Sequence, residues 1–218
     1  MLQRKRTLTR ALLAGERARL RPLSIEDAEP AFALLAGQDD ILRWLAWNGP
    51  RSVDELRDHY RTWNVGSDEG DDYRFAIEDV ATGALAGSLT VRFLGHPGTG
   101  DVGYWLGTPW WNRGLGSEAL ALAAHLAFRH LAADALYAWV FVGNERSRSI
   151  LEKNGFELVR TAKARTMKHG RAHDDWYFAC LAGNWQQRFA DFRPVVEDVG
   201  FEEDGESRGS TRGQFERD

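Results

Sequence analysis

The sequence predicts an α/β protein in which one mixed sheet carries helices on both faces. Strand-like segments of alternating or continuous apolar residues recur between residues 19 and 181. Between them lie apolar-periodic segments that begin at capping residues and end at glycine, as helices do. A strand, a helix and a second strand follow one another between residues 101 and 142. Such a unit joins its two strands by a parallel crossover.

Composition limits the class of protein. The chain has 218 residues, of which 43% are hydrophobic, so it can bury a large core in one or two domains. Its apolar stretches are too short to span a membrane, and we expect a soluble protein with no membrane partner. The single cysteine, Cys180, excludes a disulfide framework and favours a cytoplasmic location. The net charge of −4 gives no indication of nucleic-acid binding.

The charge distribution suggests three segments. Residues 1–16 form a basic extension, which we expect to be a solvated start rather than a mitochondrial-type presequence. Residues 17–193 form a single domain. Residues 194–218 contain eight acids and three arginines and few apolar side chains. We expect this tail to be disordered or loosely docked, because it buries too little apolar surface to offset its ordering entropy.

The predicted elements follow in order along the chain. Before residue 64 we expect a strand over Arg19–Leu23 and a helix over about 25–37. A short helical or irregular piece follows over Asp39–Trp47, and then a helix from Ser52 to about Trp63. An antiparallel meander follows, with strands over Phe75–Glu78, Ala86–Leu94 and Asp101–Leu106. The remainder comprises a helix from Gly114 to about Leu131, a buried strand over Leu136–Val142, a helix over Glu145–Lys153, and strands over Phe156–Lys163 and Asp175–Leu181.

The segment GYWLGTPWWNRGLGSEAL, residues 103–120, runs from a strand through a glycine-containing turn into a helix. Gly114 and Gly116 allow close approach of a ligand, and the first helical turn offers free NH groups to a phosphate. The alternative is that these glycines only permit a tight turn. A P-loop is excluded because Ser117 and Glu118 follow the second glycine, and the dinucleotide fingerprint lacks its early βαβ unit and ribose-binding acid.

A second segment, NERSRSILEKNGF, occupies residues 144–156 directly after the buried strand. Asn144 and Ser147 are suited to capping a helix, and Gly155 is suited to ending it. Both segments follow neighbouring parallel strands at their carboxyl ends. Open α/β sheets bind their ligands at that edge.

These two segments, with RLRPLSIEDAEPAFALLA and ILRWLAWNGPRSVDEL, resemble the Gcn5-related N-acetyltransferase (GNAT) superfamily, in its branch similar to the ribosomal-protein acetyltransferases RimJ and RimL. The resemblance covers roughly residues 17–182. It implies a GNAT-like, mixed but mostly antiparallel twisted sheet of about seven strands with helices on both faces. A V-shaped split would separate the family's fourth and fifth strands, here Asp101–Leu106 and Leu136–Val142.

The resemblance also implies where acetyl-coenzyme A (acetyl-CoA) binds. Its pyrophosphate would lie on the backbone of Asn112, Arg113, Gly114, Leu115, Gly116 and Ser117. Its pantetheine arm would follow Leu106, Gly107 and Thr108 and contact Asn144. The sequence departs from the family pattern where Trp111 replaces a common Gln or Arg, where Asn112 replaces a frequent glycine, and where Thr166 replaces an acid proposed as base in some relatives.

The implied reaction is direct attack of a neutral amine on the thioester. Asp101 is the candidate base, acting through water, although it could be a hydrogen-bonded hairpin residue instead. Ser147 is the candidate to protonate the leaving thiolate, and Asn144 supports it. Trp44 and Trp47 would wall the acceptor cleft. No metal is expected, because His169, His173, Asp174 and Asp175 are typical of a solvated turn, and His125 is expected in the core.

We therefore expect an N-acetyltransferase that moves an acetyl group from acetyl-CoA to a primary amine, either a protein N-terminal α-amine or a small molecule. Two alternatives stay open at this point. One is a non-catalytic acyl-CoA-binding or regulatory protein that uses the same groove. The other is an acetyltransferase of aminoglycoside-type drugs, which would need an acidic cleft near Trp44 and Trp47. A homodimer is expected by resemblance.

Overall fold

The computed structural model describes residues 6–64, 71–93 and 98–203. Within these ranges the chain forms one nine-stranded sheet and six α-helices. The strands are β1 (Arg6–Ala14), β2 (Ala18–Pro22), β3 (Asp71–Asp79), β4 (Leu85–Phe93), β5 (Thr99–Leu106), β6 (Ala135–Phe141), β7 (Glu157–Lys168), β8 (Arg171–Leu181) and β9 (Val195–Glu203). The helices are α1 (Ala28–Leu35), α2 (Asp39–Leu42), α3 (Val53–Asn64), α4 (Leu115–Arg129), α5 (Glu145–Lys153) and α6 (Ala182–Arg188).

The order of strands across the sheet is β7-β8-β6-β5-β4-β3-β2-β1-β9. Every neighbouring pair is antiparallel except β5 and β6, which are parallel and joined through α4. The predicted mixed, mostly antiparallel sheet is therefore confirmed. It has two more strands than expected, β1 and β9.

The two additional strands correct the view of the chain's ends. β1 lies in the segment expected to be a basic extension, and β9 lies in the segment expected to be disordered or loosely docked. They pair with each other, from Arg6 opposite Glu203 to Ala14 opposite Val195. Composition indicates how much apolar side-chain surface a segment can bury. It does not indicate whether a sheet edge is available to stabilise a charged strand through backbone hydrogen bonds. The rest of the tail, residues 204–218, lies outside the described residues.

Apolar side chains pack on both faces of the sheet. On one face α4 is buried along most of its length, and its alanines let it approach the strands closely. On the other face a second cluster joins Leu23, Ala28 and Leu56 to Ala76 and Leu85. The helices thus cover both faces, as expected. No helix in the described part of the chain is long and apolar enough to cross a membrane.

An arginine–aspartate pair holds α1 against the sheet. Arg21 on β2 donates through both terminal nitrogens to Asp27, at 2.7 and 2.6 Å, and Asp27 is 4% exposed. The same carboxylate accepts from the backbone NH of Ser24 at 2.8 Å. The expected helix over 25–37 consequently begins as a short 3-10 turn, Ile25–Asp27, before α1. Such bidentate pairs are strong because both charges are fully hydrogen-bonded.

The hairpin of β7 and β8 is longer than expected from the sequence. β7 continues to Lys168, with an irregularity between Ala162 and Thr166 where Ala164 adopts φ 47°. The basic turn KHGRAH, which the sequence places between the two strands, therefore becomes part of the hairpin itself. Lys168 at its tip reaches a distant loop, described below.

His125 on α4 packs among aromatic rings, as expected for a core histidine. Its ring lies 5.5 Å from His130, 6.2 Å from Trp185 and 6.1 Å from Phe192, measured between centroids. Burial, with a smaller contribution from His130, lowers the pKa of His125 to about 4. The folded protein therefore keeps this imidazole neutral.

We predict that His125→Phe makes stability less sensitive to acid. The unfolded chain binds a proton at His125 near pH 6.5, whereas the folded protein does so only near pH 4. The stability due to neutral His125 is thus fully present above pH 6.5 and is lost as the pH falls through 4. Urea unfolding at pH 7 and pH 4.5 should show a smaller loss for the variant than for the wild type. An equal loss in both proteins would contradict the prediction.

Candidate active site

The two parallel strands at the centre of the sheet touch only at their beginnings. β5 and β6 are paired at Thr99–Ala135, Gly100–Leu136 and Asp101–Tyr137, and the pairing ends there. Beyond Asp101 the strands diverge while β5 remains paired to β4 as far as Leu106. The edge of β5 that faces β6 is therefore open from Val102 onward. This is the V-shaped split that the resemblance implies.

A cavity of about 650 Å³ fills the split. Its walls come from β5, β6, the loop after α2, the loop before α4 and the start of α5. The residues that line the cavity include Asp40, Trp44, Arg92, Tyr104, Leu106, Asn112, Gly114, Gly116, Ser117, Trp139, Asn144, Glu145, Arg146, Ser147 and Lys153. The cavity thus joins the first turn of α4 to the hydroxyl groups between the strands.

The end of the cavity near α4 is suited to an anion. Gly114 caps α4 with φ 82°, a left-handed conformation that glycine adopts without strain, and Asn112 also has positive φ, 59°. The NH groups of the first helical turn have no partner within the helix and carry the positive end of its dipole. Gly116 has a further reason to be glycine, since an added Cβ would lie 3.0 Å from Ile150 on α5.

Two tryptophans fix the loop before α4. Trp110 donates its indole NH to Asp79 at 3.2 Å, and Trp111 donates to the carbonyl of Leu106 at 2.7 Å. The Arg146 guanidinium lies 4.4 Å from the centre of the Trp111 ring. Trp111, which departs from the common family pattern, thus holds the loop onto the end of β5.

Asp79 is an anchor that the sequence did not reveal. Its carboxylate is 3% exposed and accepts from Trp110, from the backbone NH of Ala81 and from Thr82. Burial alone would raise the pKa of Asp79, but these hydrogen bonds outweigh it and lower the pKa. Sequence patterns do not reveal this contact, because Trp110 lies 31 residues from Asp79.

Further contacts hold α4 from either side. The Glu118 carboxylate accepts from the backbone NH groups of Glu16, Arg17 and Ala18, at 3.0, 2.6 and 2.6 Å. Buried Asn154 at the end of α5 donates to the carbonyl and hydroxyl oxygens of Ser117. The first turn of α4 is therefore fixed by both the β1–β2 turn and α5. A site held in this way needs little rearrangement when a ligand binds.

Two hydroxyl groups meet in the middle of the cavity. The Ser147 hydroxyl lies 2.8 Å from the Tyr104 hydroxyl, which also contacts the Ser147 carbonyl at 3.3 Å. Asn144 caps α5, accepting from the Ser147 NH at 3.2 Å. Burial raises the pKa of Tyr104, and the hydrogen bond from Ser147 opposes this only in part. Sequence motifs indicate Ser147 and Asn144 but not Tyr104, whose partner is 43 residues away.

Asp101, the candidate base, is placed differently from Ser147. It stands where β5 and β6 still pair, and it forms an ion pair with Arg92 on β4. Arg92 lines the cavity, whereas Asp101 is 9% exposed and does not. The geometry offers Asp101 no direct contact with the reacting groups, and its assignment as the base stays a prediction.

The two tryptophans proposed for the acceptor cleft have different positions. Trp44 lines the cavity and lies against Gly143, where an added Cβ would be 3.7 Å from its ring. Trp47 instead packs with the second apolar cluster and contacts His59 edge-on at 6.3 Å. The structure brings Trp44 to the site but not the ring of Trp47.

The residues predicted to bind the donor fall into two groups by position. Six of them line the cavity: Leu106, Asn112, Gly114, Gly116, Ser117 and Asn144. The other four lie beside it, namely Gly107, Thr108, Arg113 and Leu115. Gly107 donates its NH to the carbonyl of Ala86, and the Leu115 side chain is 2% exposed in the core. Their roles as ligand contacts stay predictions.

A buried acid lies close to the position where some relatives carry their proposed base. Thr166 donates to Asp175 at 2.6 Å, and Arg165 donates to the same oxygen at 3.0 Å. Arg165 also lies 3.8 Å from the centre of the Trp139 ring, which lines the cavity. Asp175 is 1% exposed, so it is not the solvated turn residue that the sequence suggested.

The described residues offer neither a cluster of metal ligands nor a reactive thiol. In the described ranges no three His, Cys, Asp or Glu residues come together as metal ligands. Cys180 is buried, and burial raises the pKa of its thiol to about 12. At neutral pH this residue is a thiol with little nucleophilic character.

Comparison with known proteins decides the family. The model of the acetyltransferase (GNAT) domain matches residues 17–157, more than half of the chain. The chain belongs to this family. It is an N-acetyltransferase, as expected from the resemblance. The alternative of a non-catalytic acyl-CoA-binding protein is therefore set aside.

Several relatives share nearly their whole length with this acetyltransferase. The Bacillus subtilis protein named "Putative ribosomal N-acetyltransferase YdaF" is 26% identical over 79% of this chain and 95% of its own. Mycobacterium smegmatis RimJ, solved in complex with CoA-disulfide, has a TM-score of 0.72 at 21% identity and covers 87% of this chain and 96% of its own. A GCN5-related N-acetyltransferase from Brucella melitensis has a TM-score of 0.71 at 23% identity, covering 87% and 86%. These structural similarities confirm the fold.

We predict that Gly114→Trp abolishes binding of coenzyme A. The indole would fill the approach to the first turn of α4, next to Arg17. Thermal unfolding measures the effect, because a ligand at ~100 times its dissociation constant stabilises the folded state by about 2.7 kcal/mol. The wild-type Tm should rise with coenzyme A, and the variant's should not.

Gly37→Trp is the matched control for this variant. Gly37 also has positive φ, 67°, and no atom lies within 4 Å of its added Cβ. It therefore introduces the same backbone strain and the same side chain away from the cavity. Its Tm should still rise with coenzyme A. A normal rise in Gly114→Trp would show that the phosphates bind elsewhere.

Proposed function

We propose that this protein transfers the acetyl group of acetyl-CoA to a primary amine by direct attack in a ternary complex. One observation carries the proposal. A single cavity joins the anion-binding turn of α4 to the Tyr104–Ser147 hydroxyl pair, through the split between β5 and β6. This is the arrangement needed to hold a phosphate at one end of a long donor and a thioester at the other.

The residues present fit the donor. The first turn of α4 offers unpartnered NH groups to a pyrophosphate, and Arg146 and Lys153 line the cavity nearby. The open edge of β5 can pair with the amides of a pantetheine arm as a strand would. A cavity of about 650 Å³ falls within the range of small-molecule sites.

Acetyl-CoA supplies the thioester that the amine attacks. The chain's own task is then to manage protons. The hydroxyls of Ser147 and Tyr104, 2.8 Å apart, would supply the proton that the leaving thiolate needs, and the pair would regain a proton from solvent. Tyr104 is protonated at neutral pH, since burial raises its pKa further above the ordinary value near 10. The amine, whose pKa is about 10, must lose its own proton, for which Asp101 acting through water stays the proposed route.

Charge on the cavity wall favours an acceptor with one amine over a polycation. Among the described residues that line the cavity are two carboxylates, Asp40 and Glu145, and three cations, Arg92, Arg146 and Lys153. Asp40 already pairs with Arg43 at 3.0 Å. An aminoglycoside carries several positive charges and needs an acidic cleft, which this lining does not provide. An acceptor with a single amine, such as a peptide α-amine, fits this balance of charge better. The name of the YdaF relative, "Putative ribosomal N-acetyltransferase YdaF", agrees with a ribosomal acceptor.

A panel of amines tests the proposal. Hexapeptides beginning with Ser, Ala or Met, spermidine and kanamycin are incubated with acetyl-CoA, and thiol release is followed. We expect the peptides to have the highest kcat/KM. Fastest turnover of kanamycin would overturn the choice of acceptor. Absence of thiol release with all of them, in a protein that binds coenzyme A, would overturn the proposed transfer.

We predict that Tyr104→Phe lowers kcat about 100-fold and leaves the Kd for coenzyme A unchanged. Loss of a positioned proton donor has an effect of this order. The raised pKa has a further consequence: activity due to Tyr104 is lost only as the pH rises above 10. The wild-type kcat should therefore show no falling limb from this residue between pH 6 and 9. Tyr177→Phe on β8 is the control, and an equal loss of kcat there would contradict the assignment.

A further inference from the structure

We propose that Lys168 is a positioning residue that holds the acceptor wall of the cavity in place. The inference rests on the proposed function, because it assigns the loop after α2 to the amine. Lys168 lies at the end of β7, and its side chain reaches residues more than 120 positions earlier in the chain. Nothing in the sequence singled it out.

The ammonium group of Lys168 is enclosed by backbone carbonyl groups. It donates to the carbonyl oxygens of Leu42, Leu45 and Trp47, at 2.8, 2.6 and 3.0 Å. An ammonium group has three donors, and each finds one acceptor here. Lys168 is 6% exposed, so the loop over residues 42–47 is folded around a buried charge. A buried charge is tolerated only when its hydrogen bonds are complete.

This loop spans the split between the two halves of the sheet. Trp47 packs against the cluster that includes Ala76 and Leu85 on β3 and β4, on one side. Lys168 belongs to β7, which joins β6 through β8, on the other side. Near β5 and β6 the two halves touch at only three residue pairs. The contact of Lys168 with the loop thus adds to the Tyr104–Ser147 and Ser117–Asn154 hydrogen bonds as a connection between them.

Trp44 lies within the loop that Lys168 holds. Its ring lines the cavity and approaches Gly143, one residue before the Asn144 cap of α5. The three carbonyl contacts bracket Trp44 along the chain and restrict the loop's backbone on both sides of it. Lys168 touches neither the donor site nor the hydroxyl pair. Its effect on acetyl transfer would therefore pass through Trp44 and fall on the acceptor.

Hydrogen exchange tests the tether without any substrate. The amides of Arg43, Trp44 and Leu45 donate to carbonyl groups of α2, so they have protection to lose. Lys168→Met keeps the length of the side chain and removes its donors. We expect amide hydrogen exchange at least ~10-fold faster in peptides covering residues 39–50 and little change in peptides from the strands of the sheet. Lys168→Gln, which keeps two donors, should give an intermediate result and serves if the Met variant fails to fold.

Lys163→Met is the matched control. Lys163 lies on the same strand, but its side chain is 80% exposed and pairs with Asp174 at 2.7 Å. Exchange in the loop should keep its wild-type rate in this variant. Unchanged exchange in Lys168→Met, or the same increase in both variants, would overturn the tether.

Kinetics test whether the tether serves the acceptor. With the hexapeptide that gives the highest kcat/KM, we expect Lys168→Met to raise the acceptor KM about 10-fold while the Kd for coenzyme A stays within about twofold of wild type. In a Trp44→Ala background the same substitution should have little further effect on KM, since both changes act on one contact.

The outcomes are separable. A rise in the Kd for coenzyme A equal to that in KM, or additive effects with Trp44→Ala, would overturn the positioning role. If no amine is acetylated at all, the proposed function fails, and the exchange experiment still decides whether Lys168 holds the loop.

Discussion

The site depends on the parallel contact between β5 and β6 ending after three residue pairs. A full ladder would satisfy the backbone groups of both strands and leave no space between them. Early separation leaves one edge of β5 open and directs the following segments, the start of α4 and the start of α5, to opposite sides of a wedge. The NH groups of the first turn of α4 and the hydroxyl pair are brought to one cavity for this reason.

The split between β5 and β6 is kept open by polar contacts at both of its ends. Asp79 and Glu118 fix the loop and helix at the α4 end of the cavity, where their carboxylates accept hydrogen bonds from indole and backbone NH groups. Asn154 links α5 to Ser117 across the same end. At the opposite end the Lys168 ammonium group donates to carbonyl groups of the loop after α2. In each case a polar side chain from a distant part of the chain satisfies backbone or ring groups that no ladder reaches.

The sequence was informative where structure is local. A glycine-containing turn between a strand and an apolar-periodic segment predicted the loop before α4. Of the seven predicted strands, four lie within two residues of their observed bounds, whereas β3, β7 and β8 are longer than predicted. The sequence was uninformative where partners are distant: Tyr104 and Ser147 meet across 43 residues, and Asp79 and Trp110 across 31. β9 was missed for the same reason, since its charged composition says nothing about an available sheet edge. Trp44 and Trp47 share a segment and a residue type, and only tertiary packing separates their roles.

The pairing of β1 with β9 also bears on the order in which the molecule assembles. These strands come from the two ends of the described chain, with Arg6 opposite Glu203. β1 can pair with β2 early, but its outer edge stays uncovered until almost the whole chain has been synthesised. Contacts of such long sequence separation form late and slow folding. An exposed strand edge can meanwhile recruit other chains. Truncation before Val195 should thus cause aggregation during expression, and this effect should exceed any loss of catalytic activity.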